Sequence, residues 1–237
     1  MNTLLLAGGD AVPGRPGRFR VEGGRAKHLL VELSVTPGSR IRVGLLGDSL
    51  GTAEVVACRD DAVEIDAVFG LRPPEKLPLT LVVGLTRPKE VRRLLRDVVG
   101  LGVERIVLLG CWRVPKSYWQ SPLVEREALA RYAREGLALS GDCVEPTIET
   151  RRVFKPFVED ELPGRVERAE GILATPASRE CCERRSQQAV VLCVGPDRGF
   201  TASEEEMLVA AGCRPVGLGP RVLRVHAAVH VAVGRIF

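Results

Sequence analysis

The hydrophobic period of this chain changes once, and that change limits the possible folds more than any other feature. Residues 79–85, Leu-Thr-Leu-Val-Val-Gly-Leu, read as a buried-strand run. Val91, Leu94, Leu95, Val98 and Val99 then follow at i, i+3, i+4, i+7 and i+8, with Arg92, Arg93 and Arg96 on the opposite face. A buried strand followed by a helix with one apolar stripe is the opening of a βαβ unit. The alternation continues, with strands predicted at 105–109, 171–174, 189–194 and 215–218 and helices at 121–139, 203–211 and 226–237. Such a sequence implies an α/β domain whose parallel sheet is covered on both faces.

Before residue 70 the pattern is different. Short strands are predicted at 31–35, 40–45, 51–58 and 62–69, punctuated by Pro37-Gly38, Gly47-Asp48 and Asp60-Asp61. Turn signals at that spacing suit a small β-barrel. The expected organisation is therefore a barrel over 1–70, a stiff proline-bearing linker over 71–78, and the α/β domain over 79–237.

Composition narrows the class. An apolar share of 45% and a net charge of only +4 exclude a disordered chain. No apolar run is long enough to span a bilayer, and the first residues lack the basic start and apolar length of a signal peptide, so a cytoplasmic location without membrane attachment is expected. Seven cysteines, with no CxxC pair and with Cys181 beside Cys182, fit scattered thiols in a reducing compartment; no metal site is expected. His226 and His230 stand i, i+4 apart but lack the accompanying glutamate of a zinc helix. Arginine outnumbers lysine 29 to 5, and the first 42 residues are basic, which leans toward phosphate-bearing partners. Aromatic residues make up only 4%, too few for a base-stacking platform. Trp112, Tyr118 and Trp119 in one segment therefore suit a packed surface loop better.

In open parallel sheets, ligands bind beyond the carboxyl ends of the strands. Three such ends are rich in Gly and Pro: Leu173-Ala174-Thr175-Pro176, Val194-Gly195-Pro196-Asp197-Arg198-Gly199-Phe200, and Gly217-Leu218-Gly219-Pro220-Arg221-Val222-Leu223-Arg224. Converging loops of this kind hold a flat polar cofactor through backbone groups. None is a Walker loop and none is GxGxxG.

The run 193–206, with 217–225, Lys27-His28-Leu29, Pro37-Gly38, 101–106 and 112–122, resembles the 16S ribosomal RNA uridine-N3 methyltransferase family of the SPOUT superfamily. The order of these segments covers nearly the whole chain. The resemblance implies a PUA-like barrel that helps hold RNA, followed by a SPOUT domain with a C-terminal trefoil knot. It further implies S-adenosyl-L-methionine as cofactor, held by Leu173, Ala174, Thr175, Pro176, Val194, Gly195, Pro196, Asp197, Gly199, Leu218, Gly219, Val222 and Leu223.

Arg224 carries over as the arginine of the family's Leu-Arg pair and His226 stands where the family has an acidic residue; both are candidate catalytic groups, His226 as a general base. Arg25, Lys27, His28 and Arg198 are the candidate substrate contacts. A homodimer through the knot and the closing helix is also implied, with Val229, Val231, Ala232 and Ile236 as its apolar contacts. Departures cluster near the site: Arg198 replaces a glycine, and Ala227 follows His226 where the family has Glu-Thr. The implied acceptor is N3 of a uridine in 30S rRNA. The alternatives are a small heterocyclic metabolite and a non-catalytic module that binds cofactor or RNA.

Overall fold

Eleven strands form two separate sheets in the computed structural model, which describes residues 3–182 and 188–237. The chain divides into one unit of Met1–Pro74 with Arg134–Glu145, and a second of Glu75–Ala133 with Pro146–Phe237.

The first unit holds β1 (Leu4–Leu6), β2 (Arg18–Glu22), β3 (Arg40–Leu45), β4 (Leu50–Cys58) and β5 (Ala62–Leu71), in the order β1-β3-β4-β5-β2. All neighbours are antiparallel except β1 with β3. Alternation places Phe19, Val21, Val43, Val55, Val63 and Ile65 in one core. Thr3 N donates to Ala138 O at 2.8 Å and Gly47 N to Cys143 O at 2.9 Å, which joins residues 134–145 to this unit.

The strand predicted at 31–35 is not formed. The chain is helical from Gly23 through Glu32. Ala26 and Leu29 are buried three residues apart, whereas Val31 is 61% exposed; a strand would have buried Val31 with Leu29 and Val35.

The second unit is α/β, as the alternation implies. Strands β6 (Leu77–Gly84), β7 (Val103–Leu109), β8 (Thr147–Arg151), β9 (Glu170–Ala174), β10 (Val190–Val194) and β11 (Cys213–Val216) form one sheet, ordered β11-β9-β10-β6-β7-β8 and parallel throughout. Every residue of β10 is buried, which requires cover on both faces. Helices α1 (Pro88–Gly100) and α4 (Val225–Ile236) pack on each other, α1 also against β7 and α4 against β10. Helix α3 (Ala202–Ala210) and the helical segment through 154–166 lie against each other, with α3 on β9 and β11.

Helix α1 follows from its sequence. Pro88 sits at N1, where no N–H is needed, and the apolar stripe Val91, Leu94, Leu95, Val98, Val99 is buried. Each such side chain contributes about 1.5–3 kcal/mol by leaving water. Helix α2 (Arg126–Ser140) starts later than the predicted 121, because Pro122–Val124 forms a separate turn capped by the Ser121 hydroxyl.

Strand β8, Thr-Ile-Glu-Thr-Arg, ends the sheet, and charge guards this edge. Glu149 lies within 2.6 Å of Arg105, 2.7 Å of Arg151 and 2.9 Å of Arg165, and its side chain is only 13% exposed. Burial pushes its carboxyl up, but the hydrogen bonds from Arg165 and Arg105 pull harder, and the net shift is downward. A lowered native value means that this stabilisation is present above the ordinary carboxylate range and is lost as pH falls through the native value. Glu149→Gln should therefore cost about 2 kcal/mol at neutral pH. Urea titrations at about pH 7 and about pH 3 check this: the gap between wild type and variant should narrow in acid. An equal gap at both values would reject it.

All seven cysteines are free thiols. Among the described residues, no helix is long and apolar enough to cross a membrane, and no three His, Cys, Asp or Glu side chains cluster closely enough to hold a metal.

Candidate active site

Close backbone packing builds the site in the second unit. The turn after β10 closes through Gly199 N donating to Pro196 O at 2.7 Å. It is tight enough that a Cβ on Gly195 would lie 2.8 Å from Phe200 N and 3.0 Å from Gly199 Cα. Gly84, at the end of β6, accommodates the Pro196 ring; a Cβ there would meet Pro196 Cδ at 2.5 Å. Asp197 accepts from Arg87 N at 3.2 Å, which links this turn to the start of α1.

The far side of the same turn is anchored twice. Arg113 donates to Arg198 O at 2.7 Å and to Phe200 O at 3.3 Å. Buried Glu204 accepts from Trp112 N at 2.6 Å and from Thr201 N at 2.8 Å, while Thr201 Oγ1 caps α3. Trp112 itself is 85% exposed, at odds with the packed loop expected for that segment.

After β9 the chain turns back along the end of β11. Thr175 N donates to Val216 O at 3.0 Å, Ser178 Oγ to Pro215 O at 3.1 Å, and Gly217 N to Glu180 O at 2.7 Å. A Cβ on Gly217 would collide with the Ser178 carbonyl oxygen. Thr175 is buried and donates its hydroxyl to Glu205 of α3 at 3.0 Å.

These three strand ends, one face of α1 and the first turns of α4 border a cavity of about 1170 Å³. Ala174, Thr175, Pro176, Val194, Gly195, Pro196, Asp197, Gly199, Leu218, Gly219, Val222 and Leu223 line it, as do Arg198, Arg224 and His226. Leu173 does not: its side chain is fully buried within β9. Lys27, His28 and Arg25 belong to the first unit. Lys27 and His28 are exposed, while Arg25 clamps Asp10 with two hydrogen bonds of 2.8 and 2.6 Å and donates to Leu5 O at 3.0 Å.

Sequence patterns did not point to Arg87 at the N-cap of α1, to Glu90, Arg93 and Asp97 within α1 or to Glu205 of α3, all of which line the cavity. On a sequence they look like the solvated face of a helix. Five arginines face four carboxylates in the lining, so the cavity suits a ligand that carries both signs of charge. Arg224 is exposed and, among the described residues, its guanidinium makes no hydrogen bond or ion pair. His226 Nε2 lies 3.2 Å from Glu90 Oε2.

A family model described as RNA methyltransferase domain matches residues 73–237, the segment that contains the whole sheet and this cavity. The chain belongs to that family. Among its relatives, ribosomal RNA small subunit methyltransferase E of Treponema pallidum (strain Nichols) is 29% identical over 206 residues, covering 85% of this chain and 77% of the relative. Two solved structures have similar folds. One, from Legionella pneumophila and described as a methyltransferase with bound SAM, has a TM-score of 0.78 at 18% identity over 99% of this chain and 96% of the other. Ribosomal RNA small subunit methyltransferase E of Neisseria gonorrhoeae, bound to S-adenosyl methionine, has a TM-score of 0.76 at 20% identity, covering 99% and 95%.

Helix α4 corrects one residue-level expectation about assembly. Val229, Ala232 and Ile236, predicted as contacts between two copies, are fully buried within this chain. They recur at i, i+3 and i+7, the stripe that a helix lays on its own sheet. Val231 remains partly exposed.

Proposed function

We propose that this RNA methyltransferase transfers the methyl group of S-adenosyl-L-methionine to N3 of a uridine in small-subunit rRNA. The observation that carries the proposal is the cavity where three Gly/Pro-rich strand ends meet inside the segment matched by the family model. The names of the relatives and the ligands in the two similar structures support it.

The residues present fit such a cofactor. Gly199 and Gly219 take φ of +68° and +121°, and nothing lies within 4 Å of where a Cβ would stand, so their backbone faces open space. Mixed charge suits a ligand with amino, carboxylate and sulfonium groups. The volume exceeds that of a typical small-molecule pocket, roughly 300–1,000 Å³, and leaves room for an acceptor base beside the cofactor. When bound, the sulfonium supplies an electrophilic methyl group. The loops at 174–176, 194–199 and 218–223 hold and orient it. The free guanidinium of Arg224 stabilises the uracil anion that remains once N3 loses its proton. Arg198 borders the acceptor side.

The same assignment gives the methyltransferase domain to 79–237 and a PUA-like barrel that holds RNA to 1–70; of the expected linker 71–78, Leu71 belongs to β5 and Leu77 and Pro78 to β6, and residues 134–145 fall with the first unit. The return of 175–181 along β11 supports a trefoil knot. A homodimer would use the knot and the accessible face of α4, where Val231 is partly exposed and Ala227 and Ala228 border the cavity. Light scattering at micromolar concentration should give twice the chain mass; a monomer mass rejects the dimer. A ribosomal substrate places the protein in the cytoplasm.

Labelled S-adenosylmethionine incubated with unmodified 30S subunits tests the activity. Label recovered as N3-methyluridine is expected. Label appearing only in a nitrogen heterocycle of a metabolite extract assigns the other acceptor class. Cofactor binding with no transfer to either reduces the protein to a binding module.

Of the expected RNA contacts, Lys27 and His28 are free to meet phosphate, whereas Arg25 supports the local fold through Asp10. Replacing Lys27 and His28 with alanine should lower the slope of log affinity against log salt by about 1. Filter binding to 30S subunits over a salt series reads it. Arg25→Ala should instead lower thermal stability. An unchanged slope in the Lys27/His28 variant would remove these residues from the interface.

A further inference from the structure

Glu90 and His226 come from different helices and meet in the cavity wall. Glu90 stands in the first turn of α1 and His226 in the first turn of α4. His226 Nε2 lies 3.2 Å from Glu90 Oε2. His226 Nδ1 is buried and has no hydrogen-bond partner among the described residues. An orphaned buried N–H is rarer than an under-used acceptor, so the neutral ring carries its proton on Nε2, where Glu90 accepts it. His230 is fixed separately, with Nδ1 donating to His226 O at 2.7 Å.

With Nε2 engaged and Nδ1 buried, the imidazole has no nitrogen open to a substrate proton. The carboxylate does. Glu90 Oε1 has no partner among the described residues, and the side chain is 48% exposed within the cavity lining. Arg87 and Arg93 lie one turn away on either side of Glu90 and also line the cavity, yet neither forms an ion pair with it. The contact with His226 is what draws this flexible carboxylate toward α4 instead.

Resting on the methyltransferase assignment, we propose that Glu90 accepts the proton of the acceptor nitrogen and that His226 is a positioning residue holding the Glu90 carboxylate through Nε2–H. In the balanced step, the N3–H proton passes to Oε1 and converts the carboxylate to a carboxylic acid. The N3 electron pair forms the new bond to the methyl carbon, and the pair of the broken carbon–sulfur bond stays on sulfur. Glu90 then returns the proton to water.

Three variants test this, with calorimetry confirming that each still binds S-adenosylmethionine and melting confirming that each is folded. Glu90→Gln should lower kcat on 30S subunits by about a hundredfold. His226→Ala should lower kcat by about tenfold or more, because Glu90 is freed to turn toward its arginine neighbours. His226→Gln keeps an N–H near the Nε2 position and should recover kcat to within about fivefold of wild type. Equal loss in His226→Gln and His226→Ala, or full kcat in Glu90→Gln, would overturn the proposal.

Nitrogen-15 NMR of the ligand-free protein gives a readout independent of turnover. It should show His226 as the Nε2–H tautomer, with its resonance moved by Glu90→Gln; a proton on Nδ1 would overturn the pairing. A wild-type chain that neither binds cofactor nor methylates anything fails the underlying assignment, and the proton-accepting role falls with it. The tautomer result would then stand for the pair alone.

Discussion

Gly195→Ala should weaken S-adenosylmethionine binding by about a hundredfold, and Gly195→Val should abolish it. The cause is backbone against backbone. A Cβ at 195 would stand 2.8 Å from Phe200 N and 3.0 Å from Gly199 Cα, and no side-chain rotation relieves either contact. The turn must open, which breaks the 2.7 Å bond from Gly199 N to Pro196 O and displaces Phe200 from its packing on Phe154, 6.0 Å between centroids. Overpacking of this kind costs about 1–3 kcal/mol, and 2.7 kcal/mol is a factor of about 100 in affinity when the displaced atoms form the binding wall. Gly38→Ala, in the first unit, is the control. Its φ of +88° strains any side chain, but its Cβ would meet nothing within 4 Å, so it costs about 1–2 kcal/mol of stability and leaves cofactor affinity near wild type. Calorimetry should rank the cofactor affinity of Gly195→Ala well below that of Gly38→Ala. Wild-type affinity in Gly195→Ala would show that the cofactor does not rest on this turn.

The legible parts of the fold were those where one physical signal dominates. Strands β6 and β10 are apolar runs, and α1 has both its stripe and its N1 proline, so each was evident from residues alone. Strand β8 carries no such signal. Its Thr-Ile-Glu-Thr-Arg sequence is that of an edge, and its partners Arg105 and Arg165 are distant in sequence. The helical segment through 154–166 contains Pro156, Pro163 and Gly164, which look like breakers until each proline is found near the start of a helical turn. At 31–35 the apolar–polar alternation Val-Glu-Leu-Ser-Val suggests a strand, but the buried positions Ala26 and Leu29 follow a helical spacing that overrides it.

The candidate site divides in the same way. Glycine and proline at strand ends are a local signal, and the three loops they mark do meet in one cavity. The charged wall contributed by α1 is not local. Arg87, Glu90, Arg93 and Asp97 occupy the polar face of an amphipathic helix, and only the strand order, with β10 beside β6, brings that face to the loops. Strand order is set by packing of whole elements, which no window of sequence contains. The pairing of Glu90 with His226, 136 residues apart, is invisible for the same reason.

Arg224→Ala should lower kcat on 30S subunits by about 10²–10³, with cofactor affinity and stability nearly unchanged. The side chain can be removed cleanly. Arg224 occupies the N-cap of α4, but it caps through its backbone carbonyl, which accepts from Ala228 N at 2.8 Å, and its side chain makes no cap hydrogen bond. Alanine keeps that carbonyl, so the helix start survives. What disappears is a cation in the cavity lining that forms no ion pair among the described residues. An unpaired guanidinium is already free to meet developing negative charge and needs no partner to be displaced first, the condition under which a preorganised donor contributes about 2.7–4 kcal/mol to a transition state. Arg224→Lys should recover only part of the loss, because an ammonium cannot present two parallel donors to a planar imide anion. Guanidinium ion added to the alanine variant should raise turnover, a rescue that a folding defect would not allow. Unimpaired kcat in Arg224→Ala, or a loss matched by a fall in melting temperature, would remove Arg224 from the chemistry and leave it a structural residue at the start of α4.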